Sequence, residues 1–389
     1  MSLVIVGEFD STNVGDQLIA DGQRKIFATC CEQLRLLPLE NTRPQAEDPQ
    51  GRQTRKTLPK RVHRALYSKS VLYRHAVESL LYMRNRDFYR IQAEKTLASA
   101  DILIIGGGQL MSDGTLRMLR RLDALTMVAR ERGIPIAAFG TGMARTRSPI
   151  SRTLMRRILR RLDGPNFFRD ERSRTLALGL SQGLDVSPEP TPDCAIAGIV
   201  SQASLAESPP LIGVAPMAPA ILARSGIPVA GLDLWWLSVI EHLLESGETP
   251  VLFSTGVDLD ADYAGRLQEA LARKGRSVAV LDRPRCGKDL LGQLRCMKRV
   301  LAQRLHASIS YYALGGTPAS VTWDPKVEEF YKRVALSRRV IRPGEVDPEG
   351  AVHIVLSADA PEPAPVLLAR KSLTDARLCI SRLTTKAAG

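Results

Sequence analysis

The stretch ADILIIGGGQLMSD, residues 100–113, decides the fold class. Ile102–Ile105 is a short apolar run, too short for a helix and closed by glycines, so it reads as a buried strand. Gly106, Gly107 and Gly108 follow at once, and helical periodicity takes over from about Thr115 to Arg132. IPIAAFG (134–140) is the next strand, and a helix from about Pro149 to Leu162 follows it. Asn166–Arg169 is another strand, and RDERSRTLALGLSQG (169–183) another helix. Strand and helix in strict alternation predict a parallel sheet covered by helices on both faces.

Upstream, Ser2–Phe9 reads as a strand that opens into STNVGD (11–16), with helical spacing of Leu18, Ile19, Ile26 and Phe27 behind it. Residues 41–60 are polar and carry Pro44, Pro49 and Pro59, the composition of a linker or loop. A basic helical stretch runs from about Val62 to Leu97. Downstream, SQASLAESPP (201–210) marks a composition break, after which a second α/β set begins. Its strands are LIGVAPM (211–217), PVLFSTG (250–256), SVAVLD (277–282), RVLAQR (299–304) and PASVTW (318–323). Helices fall at about 232–247, 261–275, 288–297 and 306–316.

The expected architecture is therefore α/β, with two domains facing a cleft. The first covers residues 1–205 and holds a basic helical insert at about 41–97; the second covers 206–345. Residues 346–389, rich in Pro and Ala, are expected to cross back to the first domain or to end loosely. In open α/β sheets, ligands bind beyond the carboxyl ends of the strands. The segments to examine are thus 11–16, 106–113, 140–143, 169–173, 254–258 and 304–306.

A chain of 389 residues suits about two domains. With 44% hydrophobic residues it can bury a sizeable core, which excludes a disordered, collagen-like or disulfide-scaffold protein. No apolar run reaches the ~18–20 residues of a membrane span. MSLVIVGEFD at the start has no basic n-region, so a cytoplasmic location is expected. The six cysteines (30, 31, 194, 286, 296, 379) contain no C-x-x-C, and the five histidines (63, 75, 242, 306, 353) no H-x-x-x-H or H-x-H; no metal is expected. Lys and Arg outnumber Asp and Glu by 54 to 41, a net charge of +13. Residues 51–90 hold eleven of those cations against Glu78 and Asp87, and a second arginine-rich stretch runs from Arg145 to Arg161. Such stretches are solvated helix faces, or they meet an anionic partner: a phosphorylated or lipid-linked substrate, or the inner membrane surface.

Four places carry candidate chemistry. Gly106–Gly108 could admit a ligand to backbone N–H groups or simply make a tight turn; neither G-x-G-x-x-G nor G-x-x-x-x-G-K-[ST] is present. Asn13 and Asp16 could cap a helix or meet a substrate hydroxyl. Arg169, after the apolar Phe167 and Phe168, could pair with Asp170 or Asp193, or hold a carboxylate or phosphate in bidentate fashion. Arg304-Leu305-His306 puts a cation, a helix N-terminus and a titratable imidazole together, which suits a small polyanion with a proton to be moved. His306 alone could equally be structural. The Trp235–Trp236 pair is core or interface, with sugar stacking as the alternative.

Taken in order, NVGDQLI (13–19), ADILIIGGGQLMSD (100–113), FFRDERSRTLALGL (167–180), PTPDCAI (190–196) and RLHASISYYALGGTPASVTWDPKVEEF (304–330) make the sequence resemble the polysaccharide pyruvyl transferase family. The resemblance spans about residues 3–330. It implies a GT-B-like pair of Rossmann-type domains. It also implies transfer of the pyruvyl group of phosphoenolpyruvate onto two sugar hydroxyls, forming a cyclic ketal and releasing phosphate. Carried over by motif, Arg169, Arg304 and the Leu305 backbone hold the donor's carboxylate and phosphate, and His306 is the general acid. Asn13, Asp16, Gly106, Gly107, Gly108, Asp113 and Lys326 are candidate donor or acceptor contacts. The base is unassigned by the motif, with Asp16 and Asp113 as candidates. Expected partners are phosphoenolpyruvate, a sugar acceptor that is free or lipid-linked, and the anionic inner membrane face; no cofactor and no nucleic acid are expected.

The chain departs from the family pattern in two places. Val300–Gln303 is more polar than the usual strand before the arginine, and the basic insert lies outside the motif set. Two other classes of function compete. A GT-B glycosyltransferase would use a nucleotide sugar in the same architecture. A non-enzymatic basic protein would bind an anionic polymer, although no nucleic-acid-binding signature is visible.

Overall fold

The structure is a computed structural model that describes residues 1–9, 11, 13–39, 70, 73, 76–77, 79–80, 83, 85–112, 116–146, 148–184, 186–200, 205–206, 210–224 and 226–388. Its contacts divide the chain into two units. One comprises Met1–Asp10, Phe27–Thr191 and Asp375–Gly389; the other comprises Ser11–Ile26 and Pro192–Thr374.

The first unit is built on a parallel sheet. Its strands are β1 (Ser2–Gly7), β2 (Gln33–Pro38), β3 (Ile102–Ile105), β4 (Gly108–Met111), β5 (Ile136–Met143), β6 (Pro165–Phe168) and β7 (Ser187–Pro190). They lie in the order β2-β1-β3-β5-β6-β7, with β4 beside β5. Leu3 pairs with Ile102, and Leu103 with Ile136. Every residue of β1, β3 and β5 is buried, as expected of central strands covered on both faces. Helices Leu116–Glu131 and Pro149–Arg160 set Leu119, Leu122, Met155 and Ile158 into the same core as Leu103, Ile105 and Ile136. Ser148 caps the second of these helices by accepting from Ser151 N–H at 3.3 Å, with Pro149 at the helix start, where its missing N–H costs nothing.

The second unit has strands β8 (Leu211–Ala215), β9 (Thr249–Leu252), β10 (Ala279–Val280), β11 (Met297–Ala302), β12 (Pro318–Val321) and β13 (Val340–Ile341). Their order is β10-β9-β8-β11-β12-β13, all parallel. The chain starts in the middle, steps outward to β10, then returns to the other side of β8. This is the doubly wound order, and its switch point lies between β8 and β11. Val214 pairs with Leu252 on one side and Leu301 on the other. The core around them includes Ile212, Trp236, Ile240, Leu243 and Val355. Trp236 is fully buried and Trp235 donates from Nε1 to Val346 O at 3.1 Å, so the tryptophan pair serves the core rather than a sugar platform.

Helix Val14–Phe27 falls almost wholly in the second unit, not in the 1–205 range read from the sequence. The reason is close backbone approach. A methyl group on Gly22 would lie 1.8 Å from the Cys194 carbonyl oxygen, and one on Gly287 would lie 2.6 Å from Leu18 Cδ2. The contact-defined boundary accordingly falls at Thr191/Pro192 rather than after residue 205.

Three further differences have local causes. Gly106–Gly108 does not lead straight into a helix: β4 intervenes, and Leu116 opens the helix. Strands β2 and β7 escape sequence reading because they are edges. β2 is only half-buried, and β7 carries Pro188 and Pro190, which an edge tolerates. Residues 346–389 are mostly helical, in Pro348–Leu356 and Pro365–Ala388; proline at a helix start looks like a loop signal in sequence. Residues 41–60 and most of 62–85 lie outside the described residues, where Arg86–Thr96 is the helix seen within the basic insert.

Candidate active site

The R-x-H triplet stands at the switch point of the second unit. Val300, Leu301 and Ala302 are fully buried in β11, and the chain leaves the strand at Gln303. The polar residue that breaks the apolar run has a local use. Gln303 is 1% exposed, its N–H reaches Ala215 O at 3.0 Å, and its Oε1 accepts from Met217 N–H at 2.8 Å. It thereby ties the ends of β8 and β11 together.

Arg304 occupies the cap position of helix Leu305–Ala313 and gives no side-chain hydrogen bond to the first turn. Its side chain turns instead to Asp260: Nε donates to Oδ2 at 2.7 Å. Leu305 and His306 begin the helix, where backbone N–H groups lack intrahelical acceptors and the helix dipole favours an anion. The helix is anchored behind them. Tyr331 OH donates to Ser308 Oγ at 3.0 Å and Tyr311 OH to Met297 O at 2.9 Å. Burial raises the Tyr331 phenol and pushes that of Tyr311 up to about 12, so both stay protonated donors. Gly315, at φ +95°, ends the helix, and a methyl on Gly316 would stand 2.4 Å from the Tyr311 ring.

His306 is buried, 9% exposed, with Nε2 3.7 Å from Asp193 Oδ2. Asp193 is fixed by its other oxygen, which accepts from Ala195 N–H at 3.0 Å and caps helix Cys194–Ile199. On its other side the imidazole meets helix Val14–Phe27. A methyl on Gly15 would lie 2.4 Å from both Cγ and Nδ1 of His306. The glycine of the NVGD motif therefore makes room for the imidazole.

Asn13 and Asp16 are engaged with the protein. Asn13 Oδ1 accepts from Gly15 N–H at 3.4 Å and from Thr255 Oγ1 at 3.3 Å, while its Nδ2 donates to Asp16 Oδ2 at 3.3 Å. Val14 N–H adds a 2.9 Å bond to Thr255 O. This is the helix-capping role, and it holds Gly15 in place beneath His306. Lys326 stands over the Trp323 ring at 4.4 Å, with Nζ 3.9 Å from Asp324 Oδ2. Trp323 in turn donates to Gln303 O at 2.9 Å, next to Arg304.

In the first unit, Arg169 follows β6 and is 7% exposed. Its Nε lies 3.4 Å from Asp170 Oδ2, and Asp170 caps helix Glu171–Leu180 by accepting from Ser173 N–H at 2.6 Å. Its guanidinium lies against β5: a methyl on Gly142 would stand 2.8 Å from Nη2. The glycine loop serves the sheet. Gly106 N–H bonds Val6 O at 2.8 Å, Gly108 pairs with Thr141, and Thr141 Oγ1 donates to Ile105 O at 2.8 Å. Gly108 takes φ +90°, a conformation that requires glycine. Asp113 lies outside the described residues.

In the second unit the structure thus groups Asn13, Asp16, Arg304, Leu305 and His306 with Asp193 and Asp260. Asp193 had a sequence signal as a possible partner for Arg169 and as part of PTPDCAI (190–196). Asp260, in the first turn of helix Asp258–Arg273, had none: an acid at a helix start is usually explained by the dipole alone. Among the described residues no cluster of His, Cys, Asp or Glu could hold a metal ion.

The family model for polysaccharide pyruvyl transferase matches residues 13–324. The chain belongs to the polysaccharide pyruvyl transferase family, a family of enzymes. No curated protein matches it by sequence. Among solved structures, a putative UDP-N-acetylglucosamine 2-epimerase from Listeria monocytogenes shares the fold at TM-score 0.55 and 11% identity, over 99% of this chain and 95% of that one. The UDP-GlcNAc 2-epimerase of Methanocaldococcus jannaschii gives 0.54 and 10%, over 98% and 100%. That of Rickettsia bellii gives 0.53 and 10%, over 99% and 97%. At such identities the likeness establishes the GT-B-like α/β fold and nothing further.

Proposed function

We propose that the protein transfers the pyruvyl group of phosphoenolpyruvate onto two hydroxyls of a sugar in a cell-surface polysaccharide or its lipid-linked precursor. The observation that carries this reading is the placement of Arg304 at the cap and His306 in the first turn of one helix at a sheet switch point, where an anion and a proton acceptor would both be served. Arg304 and the Leu305 backbone hold the donor's negative groups. Arg169 takes its donor role from the motif match. His306, as the general acid, gives a proton to the methylene carbon, which becomes the methyl group, and positive charge develops on the adjacent carbon. One sugar hydroxyl bonds to that carbon and passes its proton to solvent or back to the His306 nitrogen that gave one up. The second hydroxyl then replaces the phosphate, which leaves with the bonding pair, and its own proton goes to solvent or to a base such as Asp16. A positioned acid supplies about 10²–10⁴-fold in rate, and donors aimed at the departing phosphate add electrostatic stabilisation.

A lipid-linked acceptor would bring the enzyme to an anionic membrane surface. Supporting this, the outward side of helix Pro365–Ala388 exposes Val366, Leu367 and Leu378 among Arg370, Lys371, Arg377 and Arg382. No helix among the described residues is long and apolar enough to cross a membrane.

Calorimetric titration with phosphoenolpyruvate tests the donor, with UDP and GDP as controls because the epimerases of like fold carry UDP-sugar names. Saturable phosphoenolpyruvate binding that is lost in Arg304→Ala and weakened in Arg169→Lys is expected. Binding of UDP or GDP alone would transfer the chain to the nucleotide-sugar reading.

A further inference from the structure

We infer that Asp260 is a positioning residue, one that aims the Arg304 guanidinium at an anion bound at the switch point of the second unit. Asp260 is 1% exposed and belongs to the first turn of the helix that follows β9. Its Oδ1 accepts from Ala218 N–H, just beyond β8, at 2.9 Å. Its Oδ2 accepts from Arg304 Nε, just beyond β11, at 2.7 Å. One carboxylate therefore links the ends of three successive strands, β9, β8 and β11, on the side of the sheet where ligands bind.

The choice of Nε matters. A guanidinium has five N–H donors in a fixed plane. With Nε–H committed to Asp260, the four on Nη1 and Nη2 make no hydrogen bond to the protein among the described residues. The Arg304 side chain is 17% exposed, so these groups are within reach of a ligand. They offer the end-on fork that matches two oxygens of one carboxylate or phosphate. Asp260 holds that fork still before the ligand arrives, so less side-chain entropy is lost on binding. Its charge also offsets that of Arg304 in a part-buried place. An amide cannot replace it. Asn would present one acceptor to two donors, leaving either Ala218 N–H or Arg304 Nε–H unsatisfied.

The inference rests on the donor reading for its natural ligand, phosphoenolpyruvate, but not for its geometry, which any compact oxyanion can probe. The test is a double-mutant cycle on the full chain, with dissociation constants for phosphoenolpyruvate and for inorganic phosphate measured by calorimetry. Asp260→Asn should weaken both by about 10- to 100-fold, the range for losing a hydrogen bond to a charged group. Arg304→Lys should do the same, and the double variant should bind no more weakly than Arg304→Lys alone, because the two residues act as one device. In turnover, Asp260→Asn should raise KM far more than it lowers kcat. Unchanged affinity in Asp260→Asn, or losses that simply add in the double variant, would overturn the inference. Should Asp260→Asn fail to fold, Asp260→Glu carries the test. It keeps both acceptors but pushes the guanidinium out by one methylene, so wild-type affinity in that variant would also overturn it. Phosphate binding without phosphoenolpyruvate binding in the wild type would reject the donor and leave the phosphate cycle to decide on Asp260. Binding of neither would reject both.

Discussion

His306 Nε2 stands 3.7 Å from Asp193 Oδ2, and both side chains are nearly closed off from solvent. A buried carboxylate facing an imidazole nitrogen is placed to orient the ring. Because the other oxygen of Asp193 caps helix Cys194–Ile199, the carboxylate cannot turn away. Asp193→Asn tests the pair cleanly, since asparagine also caps helices well. The expected result is a fall in kcat of about 10-fold or more, part of the ~10²–10⁴-fold that a positioned acid supplies, with the dissociation constant for phosphoenolpyruvate nearly unchanged. Steady-state kinetics with a melting curve on the same sample separates this from unfolding.

Gly15 makes a second demand on the same imidazole. Gly15→Ala would place a methyl carbon 2.4 Å from His306 Cγ and Nδ1, and the helix backbone on one side and the ring on the other leave little room to yield. Overpacking of this kind costs about 1–3 kcal/mol. The melting temperature should drop by a few degrees, and turnover should fall by more than the unfolded fraction accounts for, because the ring must leave its place. Differential scanning calorimetry and initial rates on one preparation check both expectations.

Much of this was legible in the chain because the physics is local. Ile102–Ile105 and Val300–Ala302 announce buried strands by apolar content alone, and Arg304-Leu305-His306 places itself at a strand-to-helix turn. What stayed hidden depends on long-range partners. Asn13 and Asp16 read as caps first and as substrate groups second, and the partner that holds them, Thr255, lies 242 residues from Asn13, where it accepts Val14 N–H and donates to Asn13. Gly106–Gly108 read equally as a ligand loop or a tight turn, and the partners that hold it, Val6 and Thr141, lie on other strands. Asp260 was invisible, since nothing in DLDADY distinguishes the acid that points inward from those that face water. Gln303 looked like a defect in a strand, and it proves to be the bond between two of them.

That last residue yields a prediction of its own. Gln303→Leu keeps the bulk but leaves Met217 N–H without its 2.8 Å acceptor in a place 1% exposed. A buried unsatisfied donor costs about 1–3 kcal/mol, so the midpoint of chemical denaturation should shift down with little change in slope. Phosphoenolpyruvate affinity should weaken as well, because Arg304 is the next residue and Met217–Ala218 borders Asp260. Full stability with full affinity would mean that the backbone adjusts without this link.

Cys379, on helix Pro365–Ala388, supplies a pH dependence whose sign follows from its surroundings. Burial pushes its thiol up to about 12 from an ordinary value of 9.0, with Sγ 3.8 Å from Pro165 O. The folded protein thus holds the proton more tightly than the unfolded chain does. The stabilisation is complete below about 9.0, and it is lost progressively as pH climbs from there toward about 12. Tyr311, pushed up by burial to about 12 from 10.0, acts in the same sense over the upper part of that window. Melting temperature should therefore decline steadily above pH ~9. Cys379→Ala should flatten the early part of the decline while costing some stability at neutral pH through the lost packing. In the wild type the thiol should resist a bulky alkylating reagent at pH 8 and react once the protein is unfolded in urea. Rapid modification of folded protein would contradict the burial on which the whole pH profile depends.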